Sequence, residues 1–156
     1  MKDFASIEAF IAHMAMVEQA VIRHAHAGLE KSAQVVEKAA KAELGYYQPA
    51  VGPFPAWDPL AESTLEHHAA LGVGDSPLLV TGQLYASIEH ETQGHEAVIG
   101  TKMDIGAYQE FGTDRIPPRP FMGPAVVHSK EKIEKIMSRG LVTAIVGGAS
   151  VFGMGD

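Results

Sequence analysis

From Ser6 onward, apolar side chains recur at every third or fourth position: Ile7, Phe10, Ile11, Met14, Val17 and Val21, then Leu29, Val35, Val36, Ala39 and Leu44. That spacing is the period of an α-helix with one buried stripe. Ser6 offers an N-cap oxygen, Gly28 is a possible break, and Gly45 stands where a left-handed residue ends a helix. The pattern predicts a helix or helix pair over 6–44. A second stripe of helical period, Val127, Ile133, Ile136, Met137, Leu141 and Ala144, begins after Pro124, a good first helical residue. It predicts a C-terminal helix over 124–146 and a flexible, Gly-rich tail over 147–156.

The segment between reads differently. Residues 46–59 hold four prolines, which forbid a helix interior or a central strand, so this stretch is an ordered aromatic loop or a disordered linker. Phe54 and Trp57 favour order, since linkers seldom leave large rings in water. A short helix from about Leu60 to Ala70 completes a 45–75 region. Leu84–Glu91 alternates apolar with polar residues, Glu96–Thr101 is a second β-rich run, and Thr92-Gln93-Gly94 between them predicts a β-hairpin. Ile105–Phe111 is ambiguous. Arg115–Phe121 carries three prolines and is extended. Residues 76–123 thus form a hairpin and motif region. The expected fold is a single α+β domain over 1–156, an antiparallel sheet flanked by a long N-terminal helix and a C-terminal helix.

Composition narrows the chemistry. The chain has 156 residues and no cysteine, which removes disulfides, thiol nucleophiles and thiolate metal ligands. Its net charge of −7 is concentrated in residues 45–105, where Asp58, Glu62, Glu66, Asp75, Glu89, Glu91, Glu96 and Asp104 face only Lys102. Such a segment does not steer toward nucleic acid or an anionic membrane. The N-terminus lacks the basic-then-apolar pattern of a secretory signal, and the uncharged run Gly140–Gly155 is too short to span a bilayer.

No catalytic constellation emerges. His90 and His95, with Glu91 and Glu96 beside them, are not spaced as two histidines four apart on one helix face; His67-His68 and His24-Ala25-His26 are not either. These histidines read as solvated polar residues at turns and helix surfaces. Gly148–Gly153 fails the nucleophile-elbow pattern around Ser150, and Gly72-Val73-Gly74 fails the phosphate-loop patterns. No metal, cofactor or catalytic residue is assigned.

Four blocks carry positional logic without catalytic logic: Pro77–Ile88, Val98–Thr101, Ala107–Thr113 and Pro117–Ala125. In this order they resemble the signature of the tail-completion or neck proteins of long-tailed bacteriophages, also called virion-morphogenesis or tail-component proteins. Gly52–Trp57 and Leu60–Thr64 are similar to an aromatic loop that many members carry upstream. The resemblance covers about residues 45–125. One position departs: where the family usually has a basic residue after the leucine of the first block, this chain has Tyr85. A contact made by that base is not carried over.

The resemblance implies a non-enzymatic structural protein of the virion, made in the host cytoplasm, that forms a homo-oligomeric ring at the neck. It would help complete the tail and join it to the DNA-filled head. Its partners would be further copies of itself, connector or head-completion proteins, and the tail terminator or tube protein; no sequence-specific nucleic-acid or membrane contact is implied. Tyr108, Glu110, Phe111, Arg119, Pro120 and Phe121 are the candidate subunit or partner interface. An Arg119–Glu110 pair would fix register, and Arg119→Ala would then weaken the ring while leaving the domain folded. The competing reading puts Phe111 and Phe121 in the core, with Arg119 capping it. Gly82, Gly100 and Gly112 are expected at turns or close approaches. Glu89, Glu91 and Glu96 are the candidate channel-facing carboxylates, keeping DNA from sticking. Alternatives are a small metal-dependent hydrolase using His90 and His95, a tail terminator or minor tail protein of the same virion, and a monomeric partner-binding module.

Overall fold

A computed structural model describes residues 4–150 of the chain. The elements run α1 (Ile7–Glu43), α2 (Glu62–Ala70), α3 (Gln83–Ser87), β1 (Glu89–Gln93), β2 (Glu96–Gly100), α4 (Asp104–Phe111) and α5 (Met122–Ser150). The arrangement is α+β: a long N-terminal helix, a two-stranded antiparallel sheet and a C-terminal helix.

Ser6 caps α1 as its sequence predicts, its Oγ accepting from the Ala9 N–H at 3.2 Å. The helix is continuous, and Gly28 does not break it; the glycine is buried with the Met137 sulfur against it. At the far end Gly45 turns to φ +94° and donates its N–H to Pro77 O at 2.8 Å, fixing where the chain leaves α1.

The two long helices pack on each other. His128 meets Glu43, Met137 meets Gly28, and Gly140 meets the His24 backbone, so rising numbers on one helix answer falling numbers on the other. They are antiparallel. Buried positions along both are mostly small, with Ala20, Gly28, Ser32, Ala33 and Ala40 on α1 and Ala125, Ser129 and Ala144 on α5, which lets the backbones approach closely. The sheet is a two-stranded hairpin resting on α1.

The hairpin pairs Glu89 with Gly100 and Gln93 with Glu96, leaving Gly94-His95 as the two-residue turn. Thr92 and Gln93 therefore belong to β1 and not to the turn. Leu84–Ser87, expected as strand, forms α3, so Leu84 and Ile88 fall four residues apart and both enter the core. Ile105–Phe111 resolves as helix α4. Helix α5 starts two residues before Pro124 and runs past 146 to Ser150, so residues 147–150 of the expected tail are helical; residues 151–156 lie outside those described.

The stripe expected to be buried along α1 is buried only in its second half. Ile7 is 75% exposed and Ile11 61%, with Phe10 and Met14 also exposed. The core proper is Ala40, Leu44, Trp57, Leu84, Ile88, Phe121 and Ala125, gathered where the end of α1, the Pro-rich loop, α3 and the start of α5 meet.

Candidate functional site

The four sequence blocks and the aromatic loop converge on that core and tie one another down. The loop is ordered: Val51 and Phe54 bridge across a turn, Trp57 is buried, and its indole N–H donates to Pro120 O at 2.9 Å. Phe54 covers Gly123 so closely that a Cβ there would collide with the ring. Ser87 and Thr101 join the first and second blocks through hydroxyls 2.6 Å apart. Gly112, at φ +75°, lies against Ile116 O and Pro118, a backbone conformation and a close approach that would strain any side chain. Gly82 also takes a positive φ, at the N-cap of α3, whereas Gly100 ends β2 with open space around it and needs neither.

Glu110 and Arg119 do not pair. The Glu110 carboxylate accepts from the backbone N–H groups of Phe121, Met122 and Gly123 at 2.7, 2.9 and 3.0 Å. It caps α5 from outside, placing a negative charge on the positive end of the helix dipole. Arg119 is 5% exposed, and its Nη2 donates to the carbonyls of Asp58 and Pro59 at 3.1 and 3.2 Å. Its own N–H donates to Gln109 O at 2.6 Å, tying the extended segment to α4. Arg119 thus pins the Pro-rich loop to that segment.

The expected interface set therefore divides. Phe121 is 1% exposed, and Arg119 and Pro120 are buried with it, so these three side chains serve the protomer's own core and present no surface. Tyr108 and Phe111 are exposed; the placement of Phe111 in the core is corrected, since it is 81% exposed at the end of α4. Tyr85, where the resembling family carries a base, has the Lys41 ammonium 5.5 Å from its ring centroid, so a cation reaches this place from α1 instead.

Beside Arg119 opens a recess of about 630 Å³, walled by Leu60, Leu78 and Ile116, with Arg115 and Arg119 contributing and no carboxylate in its lining. Two of its lining residues, Arg119 and Gln109, each bury a polar atom, Nε and Oε1, that has no hydrogen-bond partner. Leu78, also in the wall, holds φ +61°, a conformation that costs a branched side chain about 1–3 kcal/mol.

His90 and His68 correct the picture of solvated histidines. His90 lies on the inner face of β1 and bridges two α1 carboxylates: Nδ1 meets Glu37 Oε2, and Nε2 stands 2.9 Å from Glu30 Oε1. Thr92 Oγ1 donates to the other Glu30 oxygen at 2.6 Å. Both ring nitrogens face acceptors, so both must donate, and only imidazolium does that. The Thr92 hydroxyl, and after it His90 and Gln34, hold the Glu30 carboxyl down to about 2, and the two glutamates, Glu30 first, push His90 above its ordinary value. His68 is buried with Nδ1 3.1 Å from Gly74 O, whereas His67, His26 and His95 are exposed. His95 sits at the hairpin turn while His90 binds α1. Among the described residues no group of three or more His, Asp or Glu side chains is arranged to hold a metal ion.

Glu89 and Glu91 point outward from β1, Glu96 is exposed beside the turn, and Val98 between them is 69% exposed. No helix among the described residues is long and apolar enough to cross a membrane. No protein-family model matches the chain, and neither a curated protein nor a solved structure matches it significantly.

Proposed function

We propose that this protein is a structural, non-enzymatic component of the head-to-tail junction of a long-tailed bacteriophage. It assembles as a ring at the neck and helps complete the tail and join it to the filled head. One observation carries the reading beyond the sequence resemblance. The charged groups of the motif blocks, Glu110 and Arg119, are spent on backbone groups of their own chain, as a scaffold requires, and not held ready for a substrate. Residues outside that knot, Tyr108, Phe111 and Val98, stay exposed as large side chains available to neighbours. The partners are further copies of the chain, the connector proteins on the head side, and the terminator or tube protein on the tail side. The working location is the virion, reached from the host cytoplasm during assembly.

Deletion of the gene from the phage or prophage that carries it tests this reading. The expected particles are DNA-filled heads and finished or overlong tails that fail to join, visible by electron microscopy and restored by the chain supplied in trans. Infectious virions of normal shape and number from the deletion strain would overturn it.

A further inference from the structure

The recess beside Arg119 combines three features. Its charged side chains, Arg115 and Arg119, are both cationic, in a protein whose net charge is −7. Arg119 Nε lacks an acceptor and Gln109 Oε1 lacks a donor, although both are buried. Leu78 is held at a strained positive φ in the wall. A carboxylate would answer the exposed Arg115, and an apolar side chain would fit against Leu60, Leu78 and Ile116.

The chain carries a surface with that chemistry. The outer face of the hairpin sets Glu91 opposite Val98 and Gln93 opposite Glu96, giving two carboxylates, a side-chain amide and an exposed valine within one small patch. A single copy cannot bring the two together. From the Ser87–Thr101 contact at its base, the hairpin runs along α1 from Glu37 toward Glu30. The recess lies at the opposite end, where Gly45 and Leu79 meet and Leu78 follows Pro77.

We propose that the recess receives the acidic outer face of the hairpin of a second copy, Glu91 and Glu96 pairing with Arg115 while Val98 enters between its apolar walls. The contact is head-to-tail, since donor face and acceptor recess are different surfaces of one chain. A head-to-tail contact closes into a ring when its rotation permits. The inference rests on the ring assembly proposed above and supplies its joint. In this arrangement Glu91 and Glu96 lie at a subunit boundary and not on the wall of a DNA channel.

Charge reversal on the full-length chain, read by sedimentation velocity over a range of concentrations at low salt, tests it. Arg115, Glu91 and Glu96 are exposed, so their variants should melt like the wild type. Arg115→Glu alone, and Glu91→Lys with Glu96→Lys, should each weaken self-association about tenfold or more, and an equimolar mixture of the two proteins should recover it, because the reversed recess then meets a reversed hairpin. Variants that associate like the wild type, a mixture that fails to recover, or a wild type that stays monomeric would overturn the inference. If charge reversal has no effect while the deletion phage still lacks joined tails, only this joint falls. If deletion is harmless while reversal and recovery hold, the neck role falls and the joint stands.

Discussion

The motif knot and the two-helix arm solve the same problem in opposite ways. In the knot, residues 45–60 and 112–121 have little regular structure, so their backbone groups need partners from elsewhere. Arg119 takes two carbonyls, Glu110 takes three N–H groups, and Trp57 takes the Pro120 carbonyl. The arm formed by α1 and α5 satisfies its backbone internally, so its side chains are not needed for that purpose. Its outer positions are accordingly bare: Ile7, Ile11 and Met14 on α1, and Val142, Ile145 and Val146 on α5, all stand in water. Charged residues hold the knot together, and apolar ones are left over on the arm.

The sharpest way to break that contrast is Arg119→Ala. Two carbonyls, of Asp58 and Pro59, would lose their donor and the space of a buried side chain would be left unfilled, a loss of about 2–4 kcal/mol, or roughly 10 °C in melting temperature. This replaces the expectation that the variant stays as well folded as the wild type. Circular dichroism melts decide it; an unchanged melt would return Arg119 to the surface. Glu110→Ala should cost about 2 kcal/mol by stripping the cap from α5, and Glu110→Gln about half of that, because the amide keeps one acceptor oxygen but no charge. Equal losses for the two would show that the side chain packs without capping.

Much of the knot's membership is legible in the sequence, and little of its wiring. Prolines and glycines mark where the chain must be irregular, and the periodicity of α1 and α5 is strong enough to place both ends of α1 within a residue. Which polar groups meet is not periodic. Glu110 and Arg119 have the charges of a pair and sit nine positions apart, yet each finds better use against backbone that the pattern does not show. The α3 turn escaped because five residues give too few repeats to separate helix from strand. His90 escaped for a related reason: its partners lie 53 and 60 positions away on α1, and no local motif points across such a gap.

The His90 bridge joins the hairpin to the arm, and its pH dependence measures how much the hairpin relies on α1. The His90 value is raised, so its contribution is complete below about pH 6.5 and is lost as pH climbs through the raised value. Glu30 and Glu37 are lowered, so theirs is complete above about 4.5 and disappears as pH falls, through about 2 for Glu30. The difference in melting temperature between the wild type and His90→Gln should therefore be largest between about pH 4.5 and 6.5 and narrow on both sides. A gap that widens steadily above pH 7 would mean that neutral histidine makes the bridge. The Lys41–Glu37 pair, at 2.6 Å, is present in both proteins and drops out of the difference.

The smallest effect on stability is expected on the arm, and it bears most directly on the contrast. Ile11→Gln removes a side chain that is already 61% exposed and leaves the α1 backbone bonds intact, so the melting curve should move by no more than about 0.5 kcal/mol. Glutamine has a helix propensity at least as good as isoleucine's, which removes the other route to destabilisation. If Ile11 is instead covered within the folded chain, the same change would cost about 1–3 kcal/mol, as loss of a buried aliphatic group does. The two outcomes are several degrees apart in a melt. A small shift would establish that the apolar flank of α1 contributes nothing to the fold of a single copy, so that its exposure reflects surface left open and not a core loosely closed.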